Sequence, residues 1–181
     1  MKLTADQVQT YAEKGHLTAT GLLNLSDIDR ATADAMAWSD ETLDSMSAGD
    51  EDWYLDAGAK GRHLRKLDDP VHFRPVFREL ASQKTLVEAV EELIGGRGLT
   101  VYFSQIFFKP PEGGGPKPVH QDNFYFGTQS PQELSCGIYL QDADLSNGCL
   151  RVVPGSHHTG LIVDHQQTPG MHGSWTQVEE Q

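Results

Sequence analysis

Cysteine is scarce in this chain: Cys136 and Cys149 are the only two among 181 residues. Two thiols cannot build the framework of a small disulfide-stapled domain. Each lies in an apolar, strand-like run, where reduced and buried thiols are expected. Basic residues are also few, 14 Lys and Arg against 26 Asp and Glu, and the net charge is −12 with no basic run. Nucleic acid and anionic membrane surfaces are poor partners for such a chain. No stretch is apolar enough to span a bilayer, and the first residues lack the apolar core of a signal peptide. The expectation is a soluble, cytoplasmic protein. After Arg151 there is no Lys or Arg at all.

What is present suits one domain with a substantial core. Thr4 and Gln7 form a capping-box pattern, Val8 and Tyr11 supply an apolar stripe, and Gly15 ends the first helix. A second helix opens at Ser26 and carries Ala31, Ala35 and Trp38. Residues 39–61 are acidic around Trp53 and Tyr54 and read as a solvated helix end and loop. Residues 62–67 hold three of the chain's cations and read as a short strand or turn. Residues 84–94 form an amphipathic helix, closed by Gly95 and Gly96.

The period then changes from helical to alternating. Residues 99–108 read as a strand, with Gln105 and Phe107 on one face and Ile106 and Phe108 on the other. A loop containing Gly113, Gly114 and Gly115 leads to a second strand over 119–126 and a third over 134–141. Asn147-Gly148 marks a tight turn before a fourth strand at 149–153, and a fifth is marginal at 161–163. Helices first and short strands afterwards predict a mainly β fold with N-terminal helices, a double-stranded β-helix of the jelly-roll kind. In that reading residues 1–96 are a helical flank and 97–181 the first part of the core of a single domain. A jelly roll needs about eight strands, so the expected fold is incomplete at its C-terminus.

His120-Gln121-Asp122 is the candidate metal motif. On a strand the imidazole and the carboxylate project to one face, two corners of a 2-His-1-carboxylate site for non-haem Fe(II). The third corner must come from elsewhere.

Three ordered blocks resemble the phytanoyl-CoA dioxygenase family. They are residues 4–16, Lys109-Pro110-Pro111 with Val119-His120-Gln121-Asp122, and residues 145–157 ending in Pro154-Gly155-Ser156-His157. The resemblance implies a jelly-roll oxygenase that uses Fe(II) and 2-oxoglutarate as cosubstrate to hydroxylate a small organic molecule with O₂. Carried over by position, His120 and Asp122 match the first two iron ligands. Gln105, Lys66 and Tyr125 match the surroundings of the cosubstrate pocket. His157 belongs to a turn and is assigned no metal role. The family's third iron ligand is a later histidine, followed by an arginine for the cosubstrate's distal carboxylate. Here only His158, His165 and His172 follow His157, and no such arginine exists. His172 is the weak candidate for the third ligand. A catalytically inactive or truncated member acting as a binding domain is therefore the alternative. A cupin-like metal enzyme recruiting His165 or His172 is a third reading.

Overall fold

The helix termini follow the chemistry of their capping residues. The computed structural model describes residues 2–96, 98–115, 117–127, 130, 132–168 and 176–178. Helix α1 spans Ala5–Lys14, and its capping box is formed in both directions: Thr4 Oγ1 accepts from Gln7 N at 3.2 Å, and Gln7 Oε1 accepts from Thr4 N at 2.8 Å. Gly15 closes it in the left-handed region. Helix α2, Leu25–Ser45, starts after Asn24 and runs well past Trp38. Helices α3 (Glu51–Tyr54), α4 (Pro70–Phe73), α5 (Pro75–Ala81) and α6 (Lys84–Ile94) follow, the last with Gly95 as its left-handed cap. Pro70 and Pro75 both occupy first helical positions, where a missing N–H costs no hydrogen bond.

Strand β1, Lys66–Asp68, lies between α3 and α4 and pairs antiparallel with β2, Gln105–Phe107. The register sets Lys66 opposite Phe107, Leu67 opposite Ile106 and Asp68 opposite Gln105. Directly opposed side chains share a face. Leu67 and Ile106 therefore turn together into the core, while Lys66, Asp68, Gln105 and Phe107 occupy the other face. The core is built from Ala31 and Ala35 of α2, Phe77 and Leu80 of α5, and Leu64, Leu67 and Ile106. The two alanines, almost fully buried, leave room for the large side chains opposite. Burial of Leu67 and Ile106 contributes about 1.5–3 kcal/mol each.

The jelly roll expected from the sequence is not formed among the described residues. The chain is 40% helix and 8% strand, with two small two-stranded sheets. Of residues 99–108 only Gln105–Phe107 finds a ladder partner. Residues 122–126, rich in aromatics, form helix α7 (Asp122–Phe126) with Gly127 as its left-handed cap; aromatic enrichment is a weak strand signal that context overrides. Residues 134–141 pack through Ile138 and Leu140 against the core cluster and accept a bond from Thr32 Oγ1 at Leu140 O (3.2 Å), but they join no ladder. Residues 149–153 are likewise unladdered, with Leu150 68% and Val153 61% exposed. A strand is defined by the partner its N–H and C=O groups find, and propensity supplies no partner. Strands β3 (His165–Gln167) and β4 (Thr176–Val178) pair antiparallel, beyond the last strand that the sequence offered. Cys136 is exposed and Cys149 only partly buried, both free, which corrects the expectation of buried thiols.

Candidate active site

The His120–Asp122 pair is assembled across a helix N-cap rather than along a strand. His120 and Gln121 are extended, Gln121 caps α7 with φ −110° and ψ 127°, and Asp122 is the first helical residue. The chain turn nevertheless brings His120 Nε2 to 3.2 Å from Asp122 Oδ1. Two cis ligands on a first-row divalent ion, each about 2.1 Å from the metal, stand about 3 Å apart, so this spacing fits the pair to one ion. His120 Nδ1 lies 2.7 Å from the Pro118 carbonyl. A carbonyl only accepts, so Nδ1 carries the proton and Nε2 is the nitrogen turned towards Asp122. Metal-binding histidines are commonly oriented by such a bond on the second nitrogen. Ser135 Oγ donates to Asp122 Oδ2 and fixes the carboxylate. The neighbouring His120 does most to hold the Asp122 carboxyl below the usual carboxylate range; burial opposes this, and Ser135 and the nearby Lys117 assist it.

The residues around this pair divide into walls and tethers. Tyr125 presents its ring edge-on to His120, with centroids 5.5 Å apart, while its hydroxyl lies 3.1 Å from the Thr176 carbonyl and 3.2 Å from Thr176 N. The Tyr125 hydroxyl is thus committed to β4, and only the ring faces the site. His165 stacks on Phe124 at 4.1 Å. Its Nε2 accepts from Gln121 N at 2.9 Å and its Nδ1 donates to Val163 O at 2.8 Å. Both nitrogens are used by backbone, so His165 offers no lone pair to a metal. His172 lies outside the described residues. Among the described residues no third His, Cys, Asp or Glu converges on the pair.

Lys66 and Gln105 meet at Asp68, on the face of the β1–β2 pair opposite Leu67 and Ile106. Gln105 Nε2 donates to Asp68 Oδ1 at 2.7 Å, Trp53 Nε1 to Oδ2 at 3.2 Å, and the Lys66 ammonium lies 3.1 Å from Oδ2. Lys66 is only 4% exposed, with its ammonium 3.7 Å from the centre of the Trp53 ring. Burial pulls the Lys66 pKa down against the pull of Asp68. Burial alone would raise that of Asp68, but the three donors outweigh it and leave the carboxyl below its ordinary range. Asp68 and Trp53 were not singled out from the sequence. The alternation Lys66-Leu67-Asp68 was the available signal for Asp68; Trp53 arrives from the acidic segment through α3, which no local pattern reveals.

Lys117 connects the two clusters and was also missed. Its ammonium lies 4.4 Å from the centre of the Phe107 ring, opposite Lys66 in the register, and it interacts with Asp122. Burial lowers its pKa; Asp122 opposes this, and Lys66, Arg65 and Lys109 lower it further. The loop before it is anchored by Asp56, whose carboxylate accepts from Gly58 N at 2.8 Å and Gly115 N at 3.1 Å. A separate depression of about 430 Å³ lies beside Asp69, Arg78, Tyr102 and Ser104 and includes neither His120 nor Asp122.

Pro154-Gly155-Ser156-His157 docks on α1 instead of approaching His120: Gly155 N donates to Lys14 O at 2.9 Å, His157 Nε2 to Ala12 O at 3.0 Å and His158 Nε2 to Glu13 O at 2.8 Å. No helix among the described residues is long and apolar enough to cross a membrane.

Comparison with known proteins bears on this geometry. The chain is 23% identical over 164 residues to a probable alpha-ketoglutarate-dependent hypophosphite dioxygenase of Stutzerimonas stutzeri, covering 90% of this chain and 56% of that protein. It is 26% identical to the phytanoyl-CoA dioxygenase domain-containing protein 1 of Bos taurus, covering 92% and 70%. It is 33% identical over 105 residues to an L-proline trans-4-hydroxylase of Streptomyces griseoviridis, covering 56% and 39%. The matches thus span between 39% and 70% of these relatives' lengths. A family profile described as phytanoyl-CoA dioxygenase (PhyH) matches residues 11–179, nearly the whole chain, and the protein therefore belongs to that family.

Proposed function

We propose that the chain is the His120–Asp122-bearing part of a non-haem Fe(II)- and 2-oxoglutarate-dependent dioxygenase that hydroxylates a small organic molecule. The observation that carries this reading is the 3.2 Å approach of His120 Nε2 to Asp122 Oδ1, with each group held from behind by Pro118 O and Ser135 Oγ. A ligand pair held in this way does not have to be ordered when the ion arrives. Iron, when bound, would activate O₂ for attack on a substrate C–H bond, with the oxo acid giving up two of the electrons that O₂ takes. His120 and Asp122 would hold the ion, with the Tyr125 ring edge-on to His120 and Phe124 stacked on His165 beside them. Lys66 and Gln105, organised by Asp68, are assigned to the oxo acid. Three relatives are named for hypophosphite, phytanoyl-CoA and proline chemistry, substrates too different for family membership to choose among them. The test is an anaerobic titration of the protein with Fe(II) and then 2-oxoglutarate, read by the visible metal-to-ligand charge-transfer band. The band is expected in the wild type and lost in His120→Ala; a wild type that binds neither component defeats the reading.

A second reading is a family member that binds ligand without catalysis, favoured by His165, whose two ring nitrogens are both taken by backbone groups. It predicts iron and oxo-acid binding with no succinate formed in air. Succinate release coupled to O₂ uptake would reject it.

A further inference from the structure

Gln121 stands between the two candidate ligands and its side chain is used elsewhere. The amide Nε2 donates to Leu161 O at 3.2 Å, and Oε1 accepts from Val163 N at 2.7 Å. The backbone N of the same residue donates to His165 Nε2 at 2.9 Å. A primary amide carries a donor and an acceptor side by side, so the Gln121 side chain meets the Leu161 carbonyl and the Val163 N–H much as a neighbouring strand would. The seam continues on either side of this clamp. His165 stacks on Phe124, the Tyr125 hydroxyl bonds Thr176 O, and Val178 N donates to Val119 O at 2.8 Å.

The far end of the clamped segment is fixed at another place. Gly155 N and His157 Nε2 hold it to Lys14 O and Ala12 O at the end of α1. Residues 155–165 are therefore a strap from the end of α1 to the cap of α7. The strap's effect on the pair follows from the backbone. Gln121, at φ −110° and ψ 127°, makes the turn that carries His120 Nε2 to 3.2 Å from Asp122 Oδ1. Its N–H belongs to the peptide joining it to His120, so a bond there, reinforced by two at the side chain, holds that turn. His165 completes the hold without becoming a ligand, since its Nδ1 is bonded to Val163 O. We propose that Gln121 is a positioning residue for the metal pair, and that its clamp couples docking of the strap to occupancy of His120 and Asp122 by a divalent ion. Such coupling is reciprocal: an ion that favours the converged pair favours the docked strap by the same factor. The proposal rests on the reading of His120 and Asp122 as ligands.

The test uses Co(II) as the probe ion and needs no turnover. Amide hydrogen exchange at Gln121 and Val163 is followed by NMR in the wild type with and without Co(II), so the first arm requires no variant. Exchange at both amides is expected to slow by about tenfold when Co(II) binds. The second arm compares the wild type with Gln121→Met, which keeps the length of the side chain and removes both amide bonds. Co(II) affinity by calorimetry should fall by about tenfold, as it does when groups behind metal ligands are removed. The visible spectrum of bound Co(II), which reports the arrangement of its ligands, should change, and Co(II) should no longer slow exchange at Val163. A purely structural Gln121 would lower the stability of the metal-free variant in urea and leave the Co(II) spectrum and affinity as in the wild type; that result overturns the proposal. So does a wild type that binds Co(II) with exchange at Gln121 and Val163 unaltered, an outcome that leaves the oxygenase reading standing. A wild type that takes up neither Co(II) nor Fe(II) removes that reading and the coupling together.

Discussion

The imidazole of His157 packs against Gly15 so closely that a Cβ on Gly15 would stand 2.3 Å from its Nδ1. Gly15 has φ +75° and caps α1, and His157 reaches past it to bond Ala12 O, one of the carbonyls that a helix end leaves without an intrahelical donor. Two segments that each looked like an independent local signal, a helix cap and a turn, are one joint.

Gly15→Ala is therefore expected to cost more than the same change at Gly95. Both residues are left-handed helix caps, but nothing lies within 4 Å of a Cβ on Gly95. Gly95→Ala should lose about 1 kcal/mol from backbone strain. Gly15→Ala should lose about 2 kcal/mol or more, with the melting temperature about 4 °C or more below that of the wild type. Equal losses in urea titrations would show that His157 yields without cost.

At Asp68 the prediction concerns acid. Its carboxyl lies below the ordinary range in the folded protein, so the unfolded chain binds the proton more tightly and the linkage slope favours folding as pH rises. Its contribution is complete above an ordinary aspartate pKa, about 4, and is lost as pH falls through the lower folded value. Asp68→Asn should flatten the decline in unfolding free energy as pH falls below about 4. At pH 7 Asp68→Ala, which strands the buried Lys66 ammonium, should lose about 3 kcal/mol. Denaturant titrations across pH read both effects, and a mutant curve parallel to the wild type would contradict the first.

Ser135 touches Asp122 and no other predicted ligand. Ser135→Ala should leave the fold intact but weaken Co(II) or Fe(II) binding by about tenfold or more, as removal of hydrogen-bond partners behind metal ligands does. Asp122→Ala should weaken it further. Calorimetric metal titration decides; unchanged affinity in the Ser135→Ala protein would separate that hydroxyl from the site.

The glycine loop makes a similar claim on backbone. A Cβ on Gly113, at φ +87°, would lie 2.4 Å from Gly58 O. Gly113→Ala should release the loop from the Asp56 turn and increase cleavage there by a nonspecific protease. Gly114→Ala, whose Cβ meets the Pro110 ring at 3.1 Å and Asp56 Oδ2 at an ordinary 3.7 Å, should do so less. Identical digestion rates would remove the proposed anchoring.

Local chemistry made part of this architecture legible. The Thr4–Gln7 box, the Gly15 and Gly95 caps and the helix over 84–94 stand where the sequence placed them, because each depends on residues within one helical turn. The face alternation over residues 105–108 also held, with Ile106 inward and Gln105 and Phe107 outward. The strands did not, because a ladder depends on a partner far along the chain. The partner of β2 is β1, a segment that sequence reading left as strand or turn.

The candidate site divides in the same way. The sequence by itself pointed to the family and singled out His120 and Asp122 as the candidate pair, since ordered motifs survive any misjudged strand between them. Only the tertiary structure decided that this pair is held across the cap of α7, that Asp68 and Trp53 gather Lys66 and Gln105, and that Lys117 lies between the two clusters. Those facts depend on strand register and side-chain burial, long-range quantities that no window of sequence contains.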